Sequence, residues 1–155
     1  MKKIFNAYST FTLFFVLALT VISCKKDKPD PQPQDTSKVT NLILQLDTTQ
    51  KGHQDATASL QDAAGIDGKA GNTVTLDANG SYAGSIVLED ETKTPKATVT
   101  NDYTISYQLT GTDANISPTG PSPTITTRTA GSGTLRITLT KDATNTVVTF
   151  PVTIR

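Results

Sequence analysis

A period of two, recurring in short runs, is the feature that most constrains this chain. The run 102–110 (DYTISYQLT) sets Tyr103, Ile105, Tyr107 and Leu109 at alternate positions, with small polar residues between them. Successive side chains of an extended backbone point to opposite faces, so this is a strand with one dry face and one wet face. The same alternation places Leu42, Leu44 and Leu46 inward over 39–47, Ala56, Ala58 and Leu60 over 55–61, and Val74 and Leu76 over 73–77. It places Tyr82, Ile86 and Leu88 inward over 81–89, with Gly84 as a bulge or close-packing point. Residues 124–129 (TITTRT), 134–140 (Leu135, Ile137, Leu139) and 146–154 (Val148, Phe150, Val152, Ile154) complete the series.

Turn signals separate these runs. Asn79-Gly80 is a strong two-residue hairpin signal, because both residues tolerate the positive φ of a type I′ turn. Pro118, Gly120, Pro121 and Pro123 break the chain before 124, and Lys141 to Asn145 turns it before 146. Pro151 has no amide hydrogen and points outward, which predicts an edge strand or an edge-like position. No stretch of the domain holds a 3.6 period over three turns. Seven or eight short strands with a turn about every ten residues predict an all-β fold, a single antiparallel sandwich of immunoglobulin-like type over 38–155. A small closed barrel is the other architecture with this pattern.

Residues 1–37 do not fit it. Lys2 and Lys3 precede the apolar run FTLFFVLALTVI (11–22). About a dozen residues is short for a bilayer-spanning helix, which needs roughly 20, and matches the basic and apolar regions of a secretory signal. Cys24, the only cysteine, follows directly. It has no partner for an intramolecular disulfide, and a thiol on a tether makes a poor catalytic centre. Val21-Ile22-Ser23-Cys24 resembles the lipobox of bacterial lipoproteins. That resemblance implies a lipid on the cysteine sulfur, cleavage ahead of it and acylation of the new amine. Several acyl chains at about 0.8 kcal/mol per buried methylene anchor firmly. The segment KKDKPDPQPQDTS, with prolines at 29, 31 and 33, reads as a semi-extended tether. The expected organisation is a signal peptide over 1–23, the lipidated Cys24 and tether over 24–37, and the sandwich from 38. The Lys/Asp-rich stretch behind the cysteine is similar to the export signal of surface lipoproteins of Bacteroidota. It implies the outer face of the outer membrane, with a periplasm-facing anchor as the competing placement.

The chemistry-bearing residues are few. The single histidine, His53, has no nucleophile motif or further zinc ligands beside it and is expected to be an exposed loop residue. Asp62 and Asp67, in the glycine-rich stretch 62–73, are weak calcium candidates without EF-hand spacing; the reading is a flexible loop with no metal and no cofactor. Glu89-Asp90-Glu91 is expected to be a solvated cap on a strand end rather than a glycosidase pair, since aromatic residues to line a cleft are scarce. Tyr103 and Tyr107 are expected in the core rather than as a sugar platform. Without Lys2 and Lys3 the fourteen basic residues fall to twelve against fourteen acidic ones. A charge near minus two gives no footprint for nucleic acid.

Two resemblances rest on longer phrases. VTLDANGS (74–81) is similar to the strand–turn phrase of PKD-type immunoglobulin-like modules, whose usual later tryptophan is absent here. The runs TVTLDANGSYAGSIVLEDETKTP (73–95), TAGSGTLRITLTKD (129–142) and VVTFPVTI (147–154) resemble a family of small Bacteroidota lipoproteins. These are often labelled type 1 periplasmic-binding-fold proteins and often accompany TonB-dependent outer-membrane receptors. The label does not describe a fold for this chain, since a periplasmic-binding fold needs alternating strands and helices. Where family members carry a Glu-rich, His-containing insert, this chain reads KATVTNDY (96–103), which removes the basis for a metal role there. The resemblance implies a non-enzymatic, lipid-anchored accessory protein beside a TonB-dependent receptor. A structural or adhesin-like module is the alternative.

Overall fold

A computed structural model describes residues 38–155. The described chain is almost entirely β, in two sheets that close over one core. One sheet runs β2 (Ala56–Gln61), β1 (Asn41–Asp47), β4 (Ser81–Asp90), β8 (Thr124–Thr127), β7 (Ala114–Ile116), and the short β5 (Ala97–Thr98) also pairs with β4. The other runs β3 (Val74–Leu76), β10 (Thr144–Ile154), β9 (Gly131–Lys141), β6 (Thr104–Thr110). A single 3₁₀ turn (Thr100–Asp102) leads into β6. The architecture is a two-sheet, all-β sandwich.

The alternation in the sequence becomes the core. Leu42, Leu44, Leu46, Tyr82, Leu88 and Ile125 from one sheet, and Leu76, Leu135, Ile137, Leu139, Val148 and Phe150 from the other, are all at most 1% exposed. Full burial of one such side chain stabilises by about 1.5–3 kcal/mol, so this interior is the main source of stability. The predicted strand positions hold to within a few residues. Two further strands, β5 and β7, are only two and three residues long and carry no readable period.

Two local expectations need correction, and a third, at Pro151, holds only in its weaker form. Asn79-Gly80 does not close a hairpin. β3 pairs in parallel with β10, through Val74–Val152 and Leu76–Ile154, while β4 lies in the opposite sheet between β1 and β8. Residues 77–80 therefore carry the chain across the sandwich. Asn79 alone has positive φ (56°). A Cβ on Gly80 would lie 2.6 Å from the Tyr82 ring, so glycine is required there for close approach. The Gly80 amide donates to Thr127 Oγ1 (2.7 Å), the Thr127 hydroxyl donates to the Asp77 carbonyl (2.6 Å), and the Asp77 amide donates to the Tyr82 hydroxyl (2.7 Å). The two-residue turn with both residues at positive φ lies instead between β9 and β10, at Asp142 (48°) and Ala143 (63°).

Pro151 also stands in an inner strand, because β10 has β9 on one side and β3 on the other. The proline falls where the outer partner is interrupted: Thr149 bridges Ala70, and the β3 ladder begins only at Val152. The position is edge-like and the strand is not an edge. Stretch 62–73, read as a flexible loop, is tied down along its length. Ile66 is buried in the core, Gly68 and Gly71 donate to the carbonyls of Val147 (2.8 Å) and Thr149 (2.9 Å), and the Thr149 amide donates to Lys69 (3.1 Å). Asn72 closes the outer side of β2: its Oδ1 accepts the Ser59 amide and its Nδ2 donates to the Thr57 carbonyl (2.9 Å). An edge whose backbone groups are satisfied in this way no longer templates another strand. Gly84 is a close-packing point, since a Cβ there would sit 2.8 Å from Pro123.

Candidate functional site

The loop from β7 to β8 forms a strap along the side of the sandwich. The Tyr107 amide donates to Pro118 (2.8 Å) and Gly120 donates to Ile105 (3.0 Å), so the first half of the strap covers the outer side of β6. Further along, Ile86 donates to Pro121 (3.0 Å) and Gly84 to Pro123 (2.6 Å), fastening the second half to β4 in the other sheet. Prolines suit such a strap: they supply carbonyl acceptors and need no partner for a missing N–H.

Between this strap and the turn leading into β6 lies a cavity of about 350 Å³, lined by Thr100, Asn101, Tyr103, Thr104, Ile105, Thr119, Gly120 and Pro121. Ile105, 3% exposed, is its apolar floor. The Thr100 hydroxyl accepts the Leu88 amide (2.9 Å), which fixes that wall to β4. The side chains of Asn101, Thr104 and Thr119 make no hydrogen bond within the described residues. Tyr103 is half-buried, with Lys141 Nζ 5.7 Å from its ring centroid, inside the range of a cation–π contact. Lys141 also pairs with Asp102 at 3.4 Å. No charged side chain lines the cavity.

The residues singled out from the sequence fall elsewhere. Val21, Ile22, Ser23 and Cys24 lie outside the described residues. Asp62 is paired with Lys69 and accepts the Ala64 amide (2.8 Å), whereas Asp67 accepts the Val147 amide (2.7 Å). The hydrogen bond from Lys69, joined by that from Ala64, holds the Asp62 carboxyl below its ordinary value. Asp62 thus braces the 62–73 segment internally, and Asp67 ties it to β10. Among the described residues no group of three or more His, Cys, Asp or Glu is placed to hold a metal ion.

His53, expected to be exposed, is half-buried, and its Nδ1 is enclosed beside Gly80 without a hydrogen-bond partner among the described residues. Of the acidic cluster, Glu91 is exposed as expected, but the other two residues are not a solvated cap. Glu89 (8% exposed) and Asp90 (1% exposed) belong to β4. Glu89 pairs with Lys96 (2.9 Å) and accepts from Asn41 Nδ2 (2.9 Å). The Lys96 bond, with support from Asn41, lowers its pKa against the cost of burial. Burial pushes Asp90 upward, yet the Thr92 hydroxyl (2.5 Å), the Thr92 amide (3.0 Å) and the Lys38 amide (3.2 Å) together bring it below its ordinary value. These carboxylates receive the chain as it joins the sandwich. Tyr107 is a core residue as expected; burial raises its pKa, and its hydroxyl has no partner among the described residues. Tyr103 meets the expectation in part: it is half-buried and packs against the core, and it also lines the cavity.

Asn101, Thr104 and Thr119 carried no signal in the sequence. They reach one site because the strap crosses β6, a pairing that no local pattern encodes. No protein-family model, curated protein or solved structure matches the chain.

Proposed function

We infer that this chain is a lipid-anchored, non-enzymatic binding protein of the outer membrane, displayed at the cell surface as an accessory to a TonB-dependent uptake receptor. The observation that carries the reading is the sequence Val21-Ile22-Ser23-Cys24, directly behind an apolar run and directly ahead of a proline-rich spacer. The thirteen residues between Cys24 and Lys38 reach roughly 40 Å at the rise of a polyproline helix, enough to hold a small domain clear of a membrane. Residues 38–40 fit the end of such a tether. Lys38 is gripped by Asp90, Val39 is buried, and the Thr40 amide donates to the Glu89 carbonyl (2.9 Å).

The sandwich is read as immunoglobulin-like on its strand order: β4, β8 and β7 in one sheet, β6, β9 and β10 in the other, with β3 parallel to the last strand. Such a scaffold presents loops and a side cavity for recognition without chemistry. Affinity capture from outer membranes with the tagged full chain tests the partner: a TonB-dependent receptor is expected in the eluate, and its absence under nutrient limitation and in rich medium alike refutes the accessory role. Cys24→Ala is expected to release the chain from membranes, and unchanged retention refutes lipidation.

A further inference from the structure

We propose that the cavity between the β7–β8 strap and the start of β6 binds a neutral saccharide unit. This names a ligand for the binding protein inferred above and rests on that reading, though not on the membrane anchor. The volume of about 350 Å³ lies at the lower end of the range of ligand pockets, roughly 300–1,000 Å³, and suits one small ring-bearing ligand. Its surface is of two kinds. Tyr103, Ile105 and Pro121 offer apolar area for the C–H face of a sugar ring. Asn101, Thr104 and Thr119 offer an amide and two hydroxyls, none of them hydrogen-bonded within the described residues. Together these groups donate and accept, which is what a set of ring hydroxyls requires.

Charge narrows the class. Asp102, next in the chain to Asn101, and Lys141, over the Tyr103 ring, already pair with each other (3.4 Å). An anionic or cationic ligand entering the cavity would lose hydration and find no uncompensated countercharge on its walls. A neutral polyhydroxylated ligand has no such loss. The walls are also set in advance, by the backbone bonds from Tyr107 to Pro118, Gly120 to Ile105 and Ile86 to Pro121. Little ordering is left for the ligand to impose.

The test is calorimetric titration of the full chain with glucose, galactose, maltose and lactose, alongside glucuronate and inorganic phosphate. At least one neutral sugar is expected to bind saturably in the micromolar-to-millimolar range, and the charged probes are not. Asn101→Ala and Thr119→Val, both at exposed positions, are each expected to weaken binding roughly three- to tenfold, the loss of one or two hydrogen bonds. Lys51→Ala, in the β1–β2 loop, leaves it unchanged. Urea unfolding of each variant at the wild-type midpoint establishes that the fold is intact. The proposal is overturned if no neutral sugar binds, if binding survives both cavity variants, or if glucuronate or phosphate binds as well. Receptor capture without sugar binding would overturn the ligand assignment alone. Sugar binding without receptor capture would support the ligand and remove the accessory role.

Discussion

Replacing Gly71 with alanine sets two physical effects against each other. Gly71 does not occupy the left-handed region, so unfolded-state entropy alone predicts that alanine stabilises the fold by about 0.4–1 kcal/mol. Its surroundings predict the opposite. A Cβ at residue 71 would fall 2.1 and 2.6 Å from two ring carbons of Phe150 and 2.7 Å from the Ser59 carbonyl oxygen. Phe150 is fully buried and has no space to swing into, and the Ser59 carbonyl belongs to β2 and accepts the Asn72 amide (3.3 Å). The backbone at residue 71 is held as well, by its bond to the Thr149 carbonyl (2.9 Å). Overpacking of this kind costs about 1–3 kcal/mol and outweighs the entropy gain, for a net destabilisation of about 1–2 kcal/mol.

Urea unfolding followed by tyrosine fluorescence suits this tryptophan-free chain. With a slope of about 2 kcal/mol per molar, the midpoint should fall by roughly 0.5–1 M at unchanged slope. Gly131→Ala is the matched control: nothing lies within 4 Å of its added Cβ and its φ is not left-handed. It should stabilise by about 0.4–1 kcal/mol. Adding Phe150→Leu to Gly71→Ala should recover part of the loss, with a coupling of about 0.5 kcal/mol or more. A Gly71→Ala chain as stable as the wild type, or two glycine variants that behave alike, would refute the contact argument.

Other perturbations read other parts of the fold. Thr127→Val strands the Gly80 amide and the Asp77 carbonyl, and should destabilise by about 1–3 kcal/mol in the same urea assay. Changing Asp142-Ala143 to Asn-Gly keeps the positive φ of both turn residues and removes most of the alanine's penalty there, so thermal unfolding should rise by the equivalent of about 0.5–1 kcal/mol. Glu89 and Asp90 titrate below their ordinary values of 4.5 and 3.8, so their contribution is complete above that range and is lost as pH falls through their folded-state values. Asp90→Asn should therefore flatten the loss of stability below about pH 4, measured as urea midpoints against pH; an unchanged acid limb would show that Asp90 does not carry it.

The stretches that could be read and those that could not differ in kind. Leu42, Leu44 and Leu46, or Leu135, Ile137 and Leu139, announce their face by alternation alone, because the pleat of a strand is a local property. Asn79-Gly80 announces a sharp turn but not a hairpin. A turn signal specifies backbone shape and says nothing about which strand will pair with the next one. β3 finds a better partner in β10, some seventy residues later, than in the strand that follows it. Glu89 and Asp90 look exposed in the sequence because polarity predicts exposure only when no hydrogen-bond partners are near, whereas His53 is covered beside Gly80 with no partner for its Nδ1 among the described residues. Asn41 and Lys38 are brought to the acidic pair by the pairing of β1 with β4, and Thr92 and Lys96 by the turn that follows β4. Asn101 and Thr119 look like ordinary loop residues, and Thr104 like an outward-facing strand residue, until the strap crosses β6.

The sequence alone determined that this chain folds as β-strands, which face of most strands is dry, and, through the residues around Cys24, where it is expected to reside. The fold decided which strands are neighbours, that the 62–73 segment is bound across the sandwich rather than loose, and that a strap and a turn border a half-open cavity. The division follows from range. Side-chain alternation and backbone preference act over a few residues, whereas pairing and enclosure depend on which distant segments bury their surfaces together.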